Sequence, residues 1–156
     1  MDGESPMKTA DRSDFVYVTF IRTTPEKLWQ ALTEPRFIRQ YWFGIEIECG
    51  WTKGSPWSLS YPDGRLDTMG EVLEIDPPRR MVIRWQNESR PELKAEGPSR
   101  LTIELEPAGT AVKLTITHEI ERPDSKLITA VSGGWPKVLS NLKSLLETGT
   151  VALAER

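Results

Sequence analysis

Histidine and cysteine are nearly absent, with one of each, His118 and Cys49, in 156 residues. A lone cysteine excludes an internal disulfide and suits a reducing compartment. One histidine and one cysteine cannot build a zinc site of the usual ligand set. No metal or other cofactor is therefore expected. No apolar run approaches the roughly 18 residues of a membrane span. The opening residues MDGESPMKTADRSD hold no apolar core of a signal peptide, so a cytoplasmic location is the expectation. Excess positive charge is missing too. Twenty Lys and Arg against 23 Asp and Glu give a net charge of -3, without the basic face of a nucleic-acid binder. The pair Arg79-Arg80 follows Pro77-Pro78 and belongs to a solvated turn. There is no phosphate-cradling glycine loop and no G-x-S-x-G.

What the chain does have is a strong terminal helix pattern. In residues 133–149, GGWPKVLSNLKSLLETG, Trp135, Val138, Leu139, Leu142, Leu145 and Leu146 share one side, the spacing of a helix lying on a core. Lys137, Ser140, Asn141, Lys143, Ser144 and Glu147 fall on the other. Pro136 suits a first turn and Gly149 the residue just past the end. A short helix over 126–131, capped at Pro123-Asp124-Ser125, is expected before it, with a break or kink at Gly133-Gly134.

Ahead of this helix the order is strand, two short helices, then strands. Residues 15–22 are β-branched and aromatic on both faces and read as a first strand, covered on both sides for part of its length. Thr24 and Pro25 begin a helix whose stripe is Leu28, Trp29 and Leu32, and Pro35 opens a second. From Ile45 onward the period becomes two. Ile45, Ile47 and Cys49 alternate with Glu46 and Glu48, and Trp57, Leu59 and Tyr61 with Ser58 and Ser60. A strand over 67–76 contains Gly70, which marks a bulge or a close approach. Met81, Ile83 and Trp85 follow, then Leu101, Ile103 and Leu105, then Val112, Leu114, Ile116, His118 and Ile120. Residues 87–98 read as an exposed, mobile loop. The chain divides into a disordered arm at 1–12, one domain at 13–149 and a tail at 150–156. Grouped antiparallel strands with helices at the ends define an α+β fold, and the long helix is the cover for the sheet's apolar face.

This order resembles the START-like superfamily (SRPBCC, helix-grip fold), in the branch of the activators of heat-shock protein 90 ATPase, beside polyketide cyclases and START lipid-transfer domains. The residues that carry it are Thr24-Pro25-Glu26-Lys27-Leu28-Trp29, Tyr41-Trp42-Phe43-Gly44, residues 70–80 (GEVLEIDPPRR), Ile83-Arg84-Trp85, and Gly134-Trp135-Pro136 with Leu139, Leu142, Leu145-Leu146-Glu147 and Gly149. It spans nearly the whole chain. It implies a curved antiparallel sheet of six or seven strands around the terminal helix, enclosing an apolar cavity.

Six tryptophans are a large aromatic content for this length. Trp42, Trp57, Trp85 and Trp135 fall on inward faces, where they pack a core or line an apolar site. Leu59, Met69, Ile83, Ile103 and Ile116 on the strands, and Leu139 and Leu142 on the helix, complete the expected cavity. Polar anchors are expected from His118, inward by alternation, from Glu71 if a bulge turns it in, and from Tyr17 and Tyr61. Glu46 and Glu48 belong on a solvated face.

The leading expectation is binding of a small or medium hydrophobic ligand of lipid, polyketide or aromatic type, with no catalytic residue required. A cyclase- or hydrolase-like enzyme would need one of the four polar anchors as its acid or base. A contact with a chaperone would need an exposed apolar patch of several hundred Å2, and the polar outer strand faces speak against it. Monomer and homodimer are both open. Gly133-Gly134 and the loop 87–98 are the expected gates to the cavity.

Overall fold

A computed structural model describes residues 11–156. Seven strands form one antiparallel sheet in the order β1-β7-β6-β5-β4-β3-β2. They are β1 Ser13–Ile21, β2 Glu46–Cys49, β3 Pro56–Ser60, β4 Leu66–Asp76, β5 Arg80–Asn87, β6 Ser99–Ala108 and β7 Ala111–Ile120. Helices α1 (Pro25–Thr33) and α2 (Pro35–Tyr41) follow β1, α3 (Pro91–Lys94) joins β5 to β6, and α4 (Lys126–Thr148) closes the chain. This is the α+β helix-grip architecture, with a curved sheet holding a long terminal helix.

Local chemistry explains the element ends. Thr24 Oγ1 accepts from the Lys27 N–H at 3.2 Å with Pro25 in the first turn of α1. Ser125 Oγ accepts from the Ile128 N–H at 3.1 Å to start α4. Gly149 ends it at φ 86, its N–H reaching the Leu145 carbonyl. Along β7, alternate residues Val112, Leu114, Ile116, His118 and Ile120 are buried, so the period-two pattern sets which face meets the helix.

Gly70 is a close approach. It lies between Trp57 of β3 and Trp85 of β5. A Cβ there would sit 1.7 Å from the Arg84 carbonyl oxygen and 2.8 Å from Trp57 Nε1. The register shift of β4 falls further along, between Val72 and Glu74. Glu71 therefore stays on the outer face, paired with Arg84 at 3.0 Å.

Four features differ from the sequence reading. α4 is one continuous helix through Gly133, Gly134 and Pro136. Pro136 removes a single hydrogen bond, while the buried face of Leu127, Ile128, Trp135, Val138, Leu139 and Leu142 holds both halves in line. Residues 87–98 are not a loose loop, because α3 plants Leu93 in the core. Beyond α3, the Glu96 carboxylate caps α4 and accepts from Ser125 Oγ at 2.6 Å, Lys126 N at 2.7 Å and Leu127 N at 3.3 Å. Asn141, placed on the polar side of the helix by its spacing, is fully buried. Its side chain exchanges hydrogen bonds with the backbone of Leu153, so residues 150–156 fold back over it. Finally, the outer face of β1 is uncovered, with Val16 55%, Val18 44% and Phe20 52% exposed. The arm expected over 1–12 lies mostly outside the described residues; Arg12, inside them, pairs with Asp14 and Glu119.

Candidate ligand-binding site

β5 and α4 bring the aromatic side chains together. Trp85 sits at the centre, with ring centroids 5.3 Å from Trp57, 5.7 Å from Trp135, 6.4 Å from Trp42 and 5.1 Å from His118. Trp42 and Trp135 meet edge to face at 5.3 Å, a favoured aromatic geometry. Trp57 reaches this cluster because Gly70 has no side chain, and its Nε1 donates to the Arg84 carbonyl at 3.0 Å.

Behind the tryptophans lies a relay of hydrogen bonds. Trp135 Nε1 donates to His118 Nδ1 at 3.1 Å, and His118 Nε2 lies 2.8 Å from Ser99 Oγ. The Ser99 hydroxyl donates to the Trp85 carbonyl at 3.2 Å. Since Nδ1 accepts and the serine proton is committed, the imidazole carries its proton on Nε2 and is neutral. Burial pushes its pKa down to about 3. Both ring nitrogens are occupied, so His118 is a structural bridge with no lone pair to offer as a base.

Two spaces adjoin the cluster. The inner one, about 40 Å3, is lined by apolar side chains that include Tyr41, Trp51, Trp57, Leu59, Ile83, Ile103, Ile116 and Leu139. It has room for roughly a single water-sized guest. The outer one is an open cleft of about 320 Å3 between α4 and the ends of β4 and β5. Trp42, Trp85, Trp135 and Val138 border both spaces. Gly133 and Gly134 form part of the cleft wall, and a Cβ on either would meet nothing within 4 Å. Their missing side chains leave open space that the fold does not fill.

The cleft's rim is polar. Tyr61 donates to Asp67 Oδ1 at 2.7 Å, Ser89 Oγ to the same oxygen at 2.9 Å, and Thr68 Oγ1 to Oδ2 at 2.9 Å. Burial raises the pKa of the Tyr61 hydroxyl. Asn87 accepts the Arg90 N–H through Oδ1. Arg156 stands 5.2 Å from the Phe43 ring and 5.8 Å from the Tyr61 ring.

Of the residues singled out from the sequence, Trp42, Trp85 and Trp135 reach both spaces, Trp57, Leu59, Ile83, Ile103, Ile116 and Leu139 the inner one, and Tyr61 the rim. Leu142 is fully buried but borders neither. Tyr17 stacks on Phe15 at 6.3 Å, away from both spaces. Met69 is 42% exposed on the outer face, because its neighbours Thr68 and Gly70 take the inner one. Glu46 is exposed and pairs with Arg39. Cys49 accepts the Trp51 N–H at 3.3 Å, and desolvation raises its pKa against that bond. The rim residues Phe43, Asp67, Asn87, Arg90, Lys137 and Arg156 were not singled out. Among the described residues no cluster of metal-ligating side chains occurs, and no helix is long and apolar enough to cross a membrane.

The fold and the aromatic cleft define a helix-grip protein of the START-like class. Residues 22–147 match the family described as Activator of Hsp90 ATPase homolog 1-like protein, and the chain belongs to that family. No curated protein matches it in sequence. Among solved structures it is similar to protein MLL2253 from Mesorhizobium loti, at 26% identity over 86% of this chain and 97% of that one, TM-score 0.75. It is also similar to PFC0360w, an HSP90 activator from Plasmodium falciparum, at 23% identity over 85% of this chain and 95% of that one, TM-score 0.69. A third likeness is to DynU16, from the dynemicin biosynthetic locus, at 20% identity over 92% of this chain and 51% of that one, TM-score 0.72.

Proposed function

We propose that the protein binds one small apolar or aromatic molecule at the open end of the space between sheet and α4, on a floor of tryptophan rings. The observation that carries this is the 320 Å3 cleft, bordered by Trp42, Trp85 and Trp135 and kept open by Gly133 and Gly134. Its volume falls in the lower range of small-molecule sites, and such sites combine aromatic walls with a few polar groups. The inner cavity is too small for a lipid chain, so the ligand occupies the cleft and at most dips inward. Binding without turnover is the reading favoured by the polar groups. His118 has no free nitrogen, Glu71 and Tyr17 lie elsewhere, and the Tyr61 proton is given to Asp67.

The test is a fluorescence titration with 1-anilinonaphthalene-8-sulfonate. Saturable binding to the wild type, lost in Gly134→Leu, is the expected result. Equal binding to both proteins would remove the cleft as the site.

A second reading rests on the outer face of β1. Val16, Val18 and Phe20 form an exposed apolar row on an edge strand, and such rows mark protein contacts. With an HSP90 activator among the structural neighbours, a protein-contact role of the co-chaperone kind is supported by this row. Its test is Val18→Glu, which would abolish the contact and leave cleft binding intact.

A further inference from the structure

Among the described residues, one buried side-chain nitrogen or oxygen has no hydrogen-bond partner, the Nε1 of Trp85. Buried polar groups in native proteins are nearly always paired. The neighbouring indoles follow that rule, Trp57 donating to the Arg84 carbonyl and Trp135 to His118. Trp85 is 6% exposed, and its ring borders both the cleft and the inner cavity. The nitrogen itself is covered, with under 1 Å2 accessible, so a guest in those spaces supplies its acceptor only with a small shift of the side chains around it.

The rim adds a charge preference. The Asp67 carboxylate is satisfied by three hydroxyls, and Arg90 is held by Glu92 at 2.9 Å. Lys137 and Arg156 border the cleft and form no ion pair among the described residues. The hydroxyls leave Asp67 its charge but occupy its oxygens, so the side-chain donors free to meet an anion at the mouth are those of Lys137 and Arg156.

We infer that the ligand is a planar aromatic acid bearing a ring oxygen: its rings lie against Trp42, Trp85 and Trp135, the oxygen accepts from Trp85 Nε1, and the carboxylate meets Lys137 and Arg156. This rests on the cleft being the binding site, as proposed above. The floor selects flat rings through stacking. The unpaired donor selects an oxygen acceptor, because a guest without one leaves the N–H buried and unsatisfied. The cations select an anion.

Calorimetric titration of the full chain with three probes separates these elements: 9-oxofluorene-2-carboxylate, fluorene-2-carboxylate and 9-fluorenone. The keto acid is expected to bind about tenfold more tightly than the fluorene acid, the worth of one buried hydrogen bond. Trp85→Phe should bring that ratio close to one. The keto acid should also exceed the neutral ketone several-fold, an advantage lost in the K137Q/R156Q double variant. In the wild type, the keto acid alone should shift the Trp85 indole N–H resonance downfield, a readout that stands if Trp85→Phe does not fold. Equal affinity of the two acids with an unmoved indole resonance would overturn the inference and leave Trp85 Nε1 to a resident water. Equal affinity of keto acid and ketone would overturn its charged part. Failure of all three probes to bind would instead count against the cleft itself.

Discussion

Trp135 on α4 and His118 on β7 are joined by one bond, from the indole Nε1 to the imidazole Nδ1 at 3.1 Å. The terminal helix is thereby fastened to the sheet through a group that has to stay neutral. Protonating Nδ1 would set two donors against each other in a buried site.

That bond makes stability depend on pH. An unfolded histidine takes up a proton near pH 6.5, whereas folded His118 resists protonation down to about 3. Below pH 6.5 the unfolded chain therefore binds the extra proton, and stability falls as pH falls, by about 1.4 kcal/mol per unit. His118 is the only histidine of the chain. Urea unfolding between pH 6.5 and 5 should show this loss in the wild type and a flat profile in His118→Gln. A sloping profile in the variant would assign the effect to other groups.

Gly70 should tolerate no side chain. Its Cβ would overlap the Arg84 carbonyl, a backbone atom that cannot swing aside. Gly70→Ala is expected to cost about 3 kcal/mol or more and to displace Trp57. Thermal unfolding and the near-ultraviolet circular dichroism of the tryptophans measure both. A loss below about 1 kcal/mol would contradict the β3–β4–β5 packing.

Gly133 and Gly134 should behave in the opposite way. With space for a Cβ and helical backbone on both sides, Gly133→Ala and Gly134→Ala should each raise stability by about 0.5–1 kcal/mol. The same change narrows the cleft, so binding of 1-anilinonaphthalene-8-sulfonate should weaken. Gains in stability and losses in affinity from one substitution identify residues kept for a ligand rather than for the fold.

Glu96 ties the α3 segment to the start of α4. Burial works against its ionised form, yet the hydrogen bonds from Ser125, Lys126 and Leu127 hold its pKa below the usual carboxylate value. Its stabilisation is complete above pH 4.5 and disappears as pH falls through the folded value. Glu96→Gln should cost about 1–2 kcal/mol at pH 7, and that cost should shrink as pH falls below 4.5. Amide exchange of Lys126–Ile128 should speed up in the variant; unchanged exchange would show that the cap does not hold the helix end.

Much of the fold was legible in the sequence because strands carry a period of two and helices one of 3.6. Val112 to Ile120 fixes the inner face of β7, and Trp135 to Leu146 fixes that of α4. The inward tryptophans followed from the same alternation. Met69 did not, since Gly70 beside it occupies the inner face without an apolar side chain to announce it. Continuity of α4 through Gly133, Gly134 and Pro136 was hidden by local propensity, which tertiary burial overrides. Asn141 reads as surface because nothing in its own helix shows that the backbone at Leu153 returns to cover it. The cleft's rim was the least legible part. Asp67, the Asn87–Arg90 turn, Lys137 and Arg156 come from four separate places in the chain, and only the folded path brings them to one mouth. The bonding of His118 was also out of reach, because its partners Ser99 and Trp135 stand on other elements.

The most direct measurement is a nitrogen–proton correlation spectrum of the six indole N–H groups, recorded as 1-anilinonaphthalene-8-sulfonate is added. Binding in the cleft should move the Trp42, Trp85 and Trp135 resonances together along one saturation curve, with Trp29 unmoved. Saturable binding that leaves those three in place and shifts the amides of Val16, Val18 and Phe20 instead would contradict the account, and would make the outer face of β1 the working surface of the protein.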